Sequence, residues 1–395
     1  NLGPEVINIS YTGSRSIIHR VIQIDFSSIS AFLTGFSTYP QPLRLRLRIF
    51  TIFFLYKQTH QTVRKGELST IMKLVFDKAD LVKSVGIAMK AVSGKTTMPI
   101  LECILIDASS NVIKFTSNDM ELGIETIVTG MILERGIVAL DAKIFSEIVR
   151  KLPDNQVTIE TDENLVTTIT CEKAKFNIPG QSGEDFSYLP ILETSDCVSI
   201  SQFTLKELIR QTIFSIAANE NNKLMTGELF EIKDNTLRVV SLDGHRIAIR
   251  RIELKDSYPD RKVVVPGKTL NEISKILSGE MDDQIDIYFS ENHIMFKFDD
   301  TTVVSRLIDG EYFRIDQMLS SDYETKVTIN KKEFLSCIDR ATLLVKEGDK
   351  KPIIIDIQDG AMELQINSAM GSMKEEIDIN KEGKDIMIGF NPKFL

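Results

Sequence analysis

The chain has 395 residues, 43% of them hydrophobic, with 47 basic against 56 acidic side chains, a length that calls for about two to four domains with sizeable cores. Eleven prolines and 21 glycines are too few for a collagen-like or disordered polymer. Cys103, Cys171, Cys197 and Cys337 stand far apart with no CxxC pair, which excludes a disulfide framework and a zinc knuckle and fits a reducing compartment, and no apolar run approaches the ~18–20 residues of a membrane span.

The opening stretch differs from everything after it. Residues 1–71 carry 8 basic and 3 acidic side chains, while the remaining 324 carry 39 and 53. The segment holds neither a period of 2 nor one of 3.6 for long, and it begins at Asn1 rather than at methionine. Arg and Ser with few acids suit a targeting peptide, but no small-residue cleavage site follows an apolar core. The preferred expectation is translated upstream DNA with the start at Met72, since Lys65-Gly66-Glu67 can be encoded by a ribosome-binding sequence.

From Met72 onward the sequence repeats with a long period. Short alternating strands at Lys73–Phe76, Val198–Phe203 and Lys326–Ile329 each lead into a helix opening: Asp80-Leu81, Glu207-Leu208 and Glu333-Phe334, at offsets of 127 and 126. The first of these helices is expected over Ala79–Val92, from apolar spacing at Leu81, Val85, Ala88, Met89 and Val92. Second helices open at Lys143, Lys268 and Lys393, spaced 125 apart, and Ala142–Leu152 sets Ile144, Phe145, Ile148 and Val149 on one stripe. Val157–Thr161, Val166–Cys171, Ile285–Phe289 and His293–Phe298 read as strands, with Asn111, Asn155, Asn164, Asn235 and Asn292 as hairpin turns between such runs. Gly183-Glu184-Asp185-Phe186 and Gly310-Glu311-Tyr312-Phe313 close the first two repeats at an offset of 127. The expected domains are 72–195, 196–322 and 323–395, after a leader over 1–71. The third begins near Lys326 and covers about 70 residues of a repeat of about 125, so it is expected to be truncated.

Charge is partitioned between element types. The helices read at Lys78–Lys95, Ala142–Leu152, Thr204–Ala218, Gly267–Leu277 and Asn330–Lys346 hold 15 basic and 6 acidic side chains, a balance of +9, which leaves −23 for the rest of the chain from Met72. Lys and Arg favour helices, but Glu does so equally and here lies elsewhere. A cationic surface facing a polyanion, with an acidic exterior, accounts for both facts, and phosphate attraction of that kind is independent of base sequence and sensitive to salt. No recognition-helix, RNP or zinc-finger pattern supports base readout, and the absence of Trp argues against stacking on single strands.

Catalytic constellations are missing: there is no GxGxxG, Walker loop, HExxH or GxSxG. Asp119 and Asp243 occupy matching places in two repeats and could hold Mg²⁺, but an Asp capping a turn is the plainer reading, and Asp243-Gly244 is a turn signature. His293 reads as a structural residue near a turn.

Leu242-Asp243-Gly244-His245-Arg246, following Met225-Thr226-Gly227-Glu228-Leu229-Phe230, resembles the bacterial sliding clamp family, the β subunit of DNA polymerase III holoenzyme. Met98-Pro99-Ile100-Leu101, Ser117-Asn118-Asp119-Met120-Glu121 and Val264-Val265-Pro266-Gly267-Lys268 agree with it, over residues 72–395. The resemblance implies an α+β DNA-clamp fold: three similar domains of two helices and antiparallel sheet, two chains closing head to tail into a ring with the helices lining the hole. It implies a non-enzymatic processivity factor acting in the bacterial cytoplasm at the nucleoid. It needs no cofactor, and its partners are duplex DNA, a second copy of itself, the DNA polymerase III catalytic subunit, an ATP-using clamp loader and repair proteins. Phosphate contacts fall to Lys83, Lys90, Lys95, Lys143, Arg150, Lys206, Arg210, Lys268, Lys275, Lys332 and Arg340. By the same resemblance Met225, Leu242, Gly244, His245, Arg246 and Ile247 form an apolar pocket for partner peptides, and Phe176 and Ile178 meet Leu343 and Leu344 of a second chain at the ring joint. In the closing motifs this sequence departs from the family, with Ser187 and Phe313 where proline is usual. The rival reading is a protein-interaction scaffold that never engages DNA.

Overall fold

The computed structural model describes residues 71–94, 96–192, 197–218, 222–319, 323–345 and 351–395. The expected leader therefore lies outside the described residues but for Ile71, as do Lys95, Lys346 and the boundaries expected at 195/196 and 322/323.

Each repeat opens with a strand that runs straight into a helix. Met72–Asp77 leads to α1 (Lys78–Ala88), Cys197–Ser201 to α3 (Gln202–Thr212), and Thr325–Ile329 to α5 (Lys331–Thr342), while α2 (Ala142–Lys151) and α4 (Gly267–Ile276) are the second helices. Short polar residues at the strand ends start several of them by taking orphan backbone N–H groups. Asp141 accepts from the Ile144 amide, Ser201 from Thr204, and Asn330 from Lys332 and Glu333. The helices are shorter than their apolar spacing suggests. α1 and α3 tighten into 3₁₀ turns at Met89–Ala91 and Ile213–Ser215, and Phe203, expected at the end of a strand, is already helical.

Among the described residues the first two repeats share one 13-stranded sheet. Its joint is the antiparallel pairing of Thr301–Ser305 with Leu122–Thr126, closed by a buried hydrogen bond between the Thr126 and Thr301 hydroxyls at 3.0 Å. Gly227–Leu242 and Ile247–Pro266 form a separate long hairpin, and the third repeat has a five-stranded sheet. Asn111, Asn164 and Asn292 do sit between paired strands. Asn155 instead links α2 to a strand, and Asn235 lies within the long hairpin where its register slips beside Asp234, at φ +52°.

Three main cores follow the three repeats. The first packs Phe76, Phe115 and Phe145 edge to face, with centroids 5.9 and 6.1 Å apart, beneath α1 and α2. Burial of an aromatic of that size contributes about 1.5–3 kcal/mol. The second core draws in Ala91, Leu122 and Ile124 of the first repeat, so the joint between the two repeats is packed as well as hydrogen-bonded. Ala139 pairs with Gln181 in the first repeat as Val264, the same distance before its helix, bridges to Ile308 in the second, at the offset of 127 read for the closing motifs. The aromatic buried in each motif is nevertheless Phe186 and then Tyr312, 126 apart.

Candidate nucleic-acid and partner surfaces

The helical cations fall into two groups by what they touch. Lys83, Lys143 and Lys332 are exposed and Lys90 half-buried, and none has a carboxylate partner among the described residues. Arg150 reaches only the Ser146 carbonyl of its own helix, at 3.4 Å. The others are engaged. Arg210 grips Glu207 with two hydrogen bonds of 2.7 and 2.6 Å, and that contact holds the Glu207 carboxyl down at about 2. Lys275 meets Glu272 at 2.6 Å, Arg340 Nε meets Glu375 at 2.9 Å, and Lys206 Nζ donates to the Leu277 carbonyl at 2.9 Å. Lys268 reaches across from the second repeat to Asp119 of the first. In each of these ion pairs the cation is more than half exposed, and such pairs contribute only about 0–1 kcal/mol, so an arriving phosphate can reach the cation and compete with the carboxylate.

The two turn aspartates do structural work. Asp119 Oδ1 accepts from the amides of Glu121 and Leu122 at 3.0 and 2.7 Å, and Asp243 Oδ1 accepts from those of His245 and Arg246 at 3.0 and 3.2 Å. Burial pushes the Asp243 carboxyl up, but the two amides and the Arg246 guanidinium outweigh it and hold the group below the usual range. No cluster of acid, His or Cys side chains among the described residues is arranged to hold a metal. His293 opens its strand, bonded through its backbone to Ser290.

The six residues expected to form the pocket come together. Leu242 is buried in a small cluster with Leu229, Val240, Val264, Tyr312 and Ile315, against which Met225, Ile247 and Phe313 pack. The Asp243 turn carries Gly244 at φ +87°, with nothing within 4 Å of where a Cβ would stand. A residue with a side chain would be strained there, and glycine leaves the space above the cluster open. His245 and Arg246 form the rim. The Arg246 guanidinium lies 5.4 Å from the Phe214 ring centroid and 4.7 Å from that of Phe394, its Nη2 donates to the Phe214 carbonyl, and His245 stacks on Phe394 at 5.6 Å. Sequence reasoning missed Phe214 and Phe394: both reach the turn from far along the chain, and no local pattern marks them.

A cleft of about 600 Å³, lined by Arg238, Lys262, Arg306, Phe313 and Asp316 among others, shares Leu229, Val264, Tyr312 and Ile315 with that small cluster. Arg238 bridges Glu231 and Asp316 there, and the pocket rim residues His245 and Arg246 take no part in it.

The four residues expected at a ring joint divide evenly. Phe176 is 39% exposed on the strand Ala174–Ser182, and Leu343 is 78% exposed just past α5. Ile178 belongs to the first core and Leu344 packs on the third. The strand holding Phe176 pairs on one side only from Ala174 to Pro179, and Gly371–Asp378 likewise pairs only with Ala361–Ser368. Leu344 sits beside that second open edge, 3.7 Å from the Cβ position of Gly371.

Comparison with known proteins gives consistent matches. Family profiles described as DNA polymerase III beta subunit match along the chain: the N-terminal domain at residues 72–190, the central domain at 199–313 and the C-terminal domain at 316–395. The beta sliding clamp of Staphylococcus epidermidis is 33% identical over 335 residues, covering 82% of this chain and 89% of the relative. The crystal structure of the Bacillus subtilis DNA polymerase sliding clamp is 35% identical with a TM-score of 0.79, over 82% of this chain and 88% of that one. A crystal structure assigned as a DNA polymerase III beta subunit, from Eubacterium rectale, is 72% identical over the same shares of the two chains, with a TM-score of 0.80.

Proposed function

The chain belongs to the DNA polymerase III beta subunit family, the bacterial beta sliding clamps, and from that premise we propose how its own residues do the clamp's work. The protein is a non-catalytic processivity factor, with DNA and polymerase as partners and self-association as a ring. A ring linked topologically to duplex holds the polymerase at a high effective concentration near the primer end without tight DNA affinity. That logic needs weak, mobile phosphate contacts. Lys83, Lys90, Lys143, Arg150 and Lys332 supply them first, and Arg210, Lys268, Lys275 and Arg340 add to them when phosphate displaces their carboxylates; Lys206 and Lys95 complete the set.

The observation that carries the ring is the joint already made within the chain. Thr301–Ser305 adds to the free edge of Leu122–Thr126 and continues the sheet. Ala174–Pro179 is the first repeat's counterpart of Thr301–Arg306, and Gly371–Asp378 offers an open edge in the third repeat. Closure pairs these two edges between chains, in the same antiparallel manner, with Phe176 and Leu343 buried across the joint and Ile178 and Leu344 supporting them from within. An exposed apolar edge invites pairing, and a head-to-tail contact repeated twice closes a ring.

The pocket of Met225, Leu242, Gly244, His245, Arg246 and Ile247 takes a short partner peptide by burying its apolar anchors against preformed walls. The DNA polymerase III catalytic subunit, repair proteins and an ATP-using clamp loader are the proposed users, acting at the nucleoid. The test loads the protein with a clamp loader onto nicked circular plasmid, removes free protein and linearises half the sample. Retention on circles with loss from linear DNA, in salt that screens phosphate contacts, is the expected result. Equal loss from both would reduce the DNA contact to electrostatics and refute a topological link.

A further inference from the structure

The first two repeats share a buried device that fixes their register. Ser117 donates to the carbonyl of Ala88 at the end of α1, and Ser241 donates to that of Thr212 at the end of α3, an offset of 124 for both residues. Around that bond the chemistry diverges. Ala88, Ala91 and Ile104 line the first repeat, and the same offset puts Thr212, Ser215 and Glu228 in the second, all fully buried. Two of their atoms, Glu228 Oε1 and Ser215 Oγ, find no hydrogen-bond partner among the described residues. An unmet buried polar atom costs about 1–3 kcal/mol, so three concerted apolar-to-polar exchanges call for a role other than stability.

The geometry shows where a proton belongs. The Thr212 hydroxyl has one proton to give, and the Leu208 carbonyl at 2.7 Å is its nearest acceptor. Its 3.1 Å contact with Glu228 Oε2 is then satisfied when the carboxyl is protonated and donates to Thr212. An ionised Glu228 would force Thr212 to turn its proton away from the last turn of α3. That turn runs directly into Ile213–Ser215, which carries Phe214, the ring and carbonyl that hold Arg246 at the pocket rim.

We propose that Glu228 and Thr212 form a buried proton site behind the partner pocket, beside the buried Ser215, and that loss of its proton loosens the turn beneath Arg246 and weakens peptide binding. The inference rests on the pocket reading given above. Burial pushes the Glu228 carboxyl up to about 8, against a lowering by Thr212. No charged side chain shifts it from α3, from the strand that sets Val265 opposite, or from the closing segment. Among the described residues Tyr312 is the titratable group that senses it, its phenol pushed up by burial and by Glu228 itself. The exposed His245 and the Asp243–Arg246 pair belong to the rim and are shared by every variant below.

The test has two arms on the full chain. In the first, ¹³C NMR of glutamate-labelled protein follows the carboxyl resonance that disappears in Glu228→Gln. The second measures fluorescence anisotropy of a labelled peptide from the clamp-binding segment of a DNA polymerase III catalytic subunit, from pH 7 to 9.5. The expected result is a Glu228 resonance titrating near pH 8, with affinity falling roughly threefold or more in the natural chain. Glu228→Gln, and the triple variant Glu228→Ile, Thr212→Ala, Ser215→Ala that restores the first repeat's trio, stay flat. A Glu228 that titrates with the exposed carboxylates, or a natural chain whose affinity profile matches that of the variants, overturns the proposal. Absence of peptide binding at every pH refutes the pocket reading and the coupling with it, while the NMR arm still decides whether the proton site exists.

Discussion

The two groups of helical cations make a prediction that separates DNA contact from ordinary solvated charge. Lys83, Lys90, Lys143, Arg150 and Lys332 have no carboxylate to leave among the described residues, whereas Arg210, Lys268, Lys275 and Arg340 are each paired. A cation that neutralises one phosphate contributes about 0.9 to the slope of log affinity against log salt. Replacing the five unpaired residues by Ala should therefore lower that slope by up to about 4.5, or roughly 500-fold less salt sensitivity between 50 and 200 mM. Replacing the four paired residues should lower it by about half as much per residue, because each phosphate contact there first breaks an ion pair and frees a carboxylate that needs its own counterion. Anisotropy of a labelled linear duplex of 30 base pairs, titrated across that salt range, reads both slopes. Equal change per residue in the two sets would refute the distinction, and no change in either would remove the helices from the DNA surface.

The turns and the joint can be tested in the same way. Asp119→Ala leaves two turn amides without their acceptor and frees Lys268, so thermal unfolding should show a loss of about 1–2 kcal/mol; Asp243→Ala should lose a similar amount and also weaken peptide binding, because Arg246 is released from the rim. At the proposed ring joint Leu343 is 78% exposed, and Leu343→Ala should weaken each of the two joints by about 2 kcal/mol, so that dimerisation read by sedimentation falls by about 4 kcal/mol, close to a thousandfold, with the thermal midpoint of the monomer unmoved. Ile178→Ala should instead destabilise the fold itself by about 2–4 kcal/mol, and a matching loss of stability from Leu343→Ala would place that residue in the core rather than at the joint.

What was legible in the sequence was whatever local periodicity or long-range repetition encodes. The bounds of α2 and of the strand His293–Phe298 could be read to within a residue, but Ile144, placed on the apolar stripe, is 49% exposed, and Ile294, Met295 and Phe296 are buried in succession rather than alternately. Helix ends were overrun beyond Thr212 and Thr342 because apolar spacing continues into turns and loops that no longer form α-helix. Alternation could place Phe176 and Ile178 on a strand with their side chains toward one sheet face, but depth on that face depends on what packs there. Charge could be summed over helices, yet the pairing of Lys268 with Asp119 spans 149 residues and exists only once two repeats are joined. Tyr312 and Phe313 are adjacent aromatics, and only packing in the folded chain decides that Tyr312 is the buried one.

The same scaffold, repeated, explains why one turn became a pocket rim and its counterpart did not. Both turns are closed by an Asp that takes two amides, and both pass through positive φ at the next residue, Met120 at +75° and Gly244 at +87°. In the first repeat the position three residues further on is Gly123, and the closing segment's Leu189 lies so close that a Cβ there would overlap it. In the second repeat Ile247 fills that place from the strand itself, with Ile315 buried alongside. The exchange moves the small residue from the strand to the turn. Bulk then lies within the cluster while the turn above it is bare, and a side chain arriving from outside meets preformed apolar walls. Arg246, held between Phe214 and Phe394, occupies the position of Leu122, which the first repeat buries in its joint with the second. Where the first repeat buries a leucine, the second thus carries a guanidinium at the rim, and the Asp243→Ala and Glu228→Gln variants ask whether the turn that carries Phe214 matters to peptide binding.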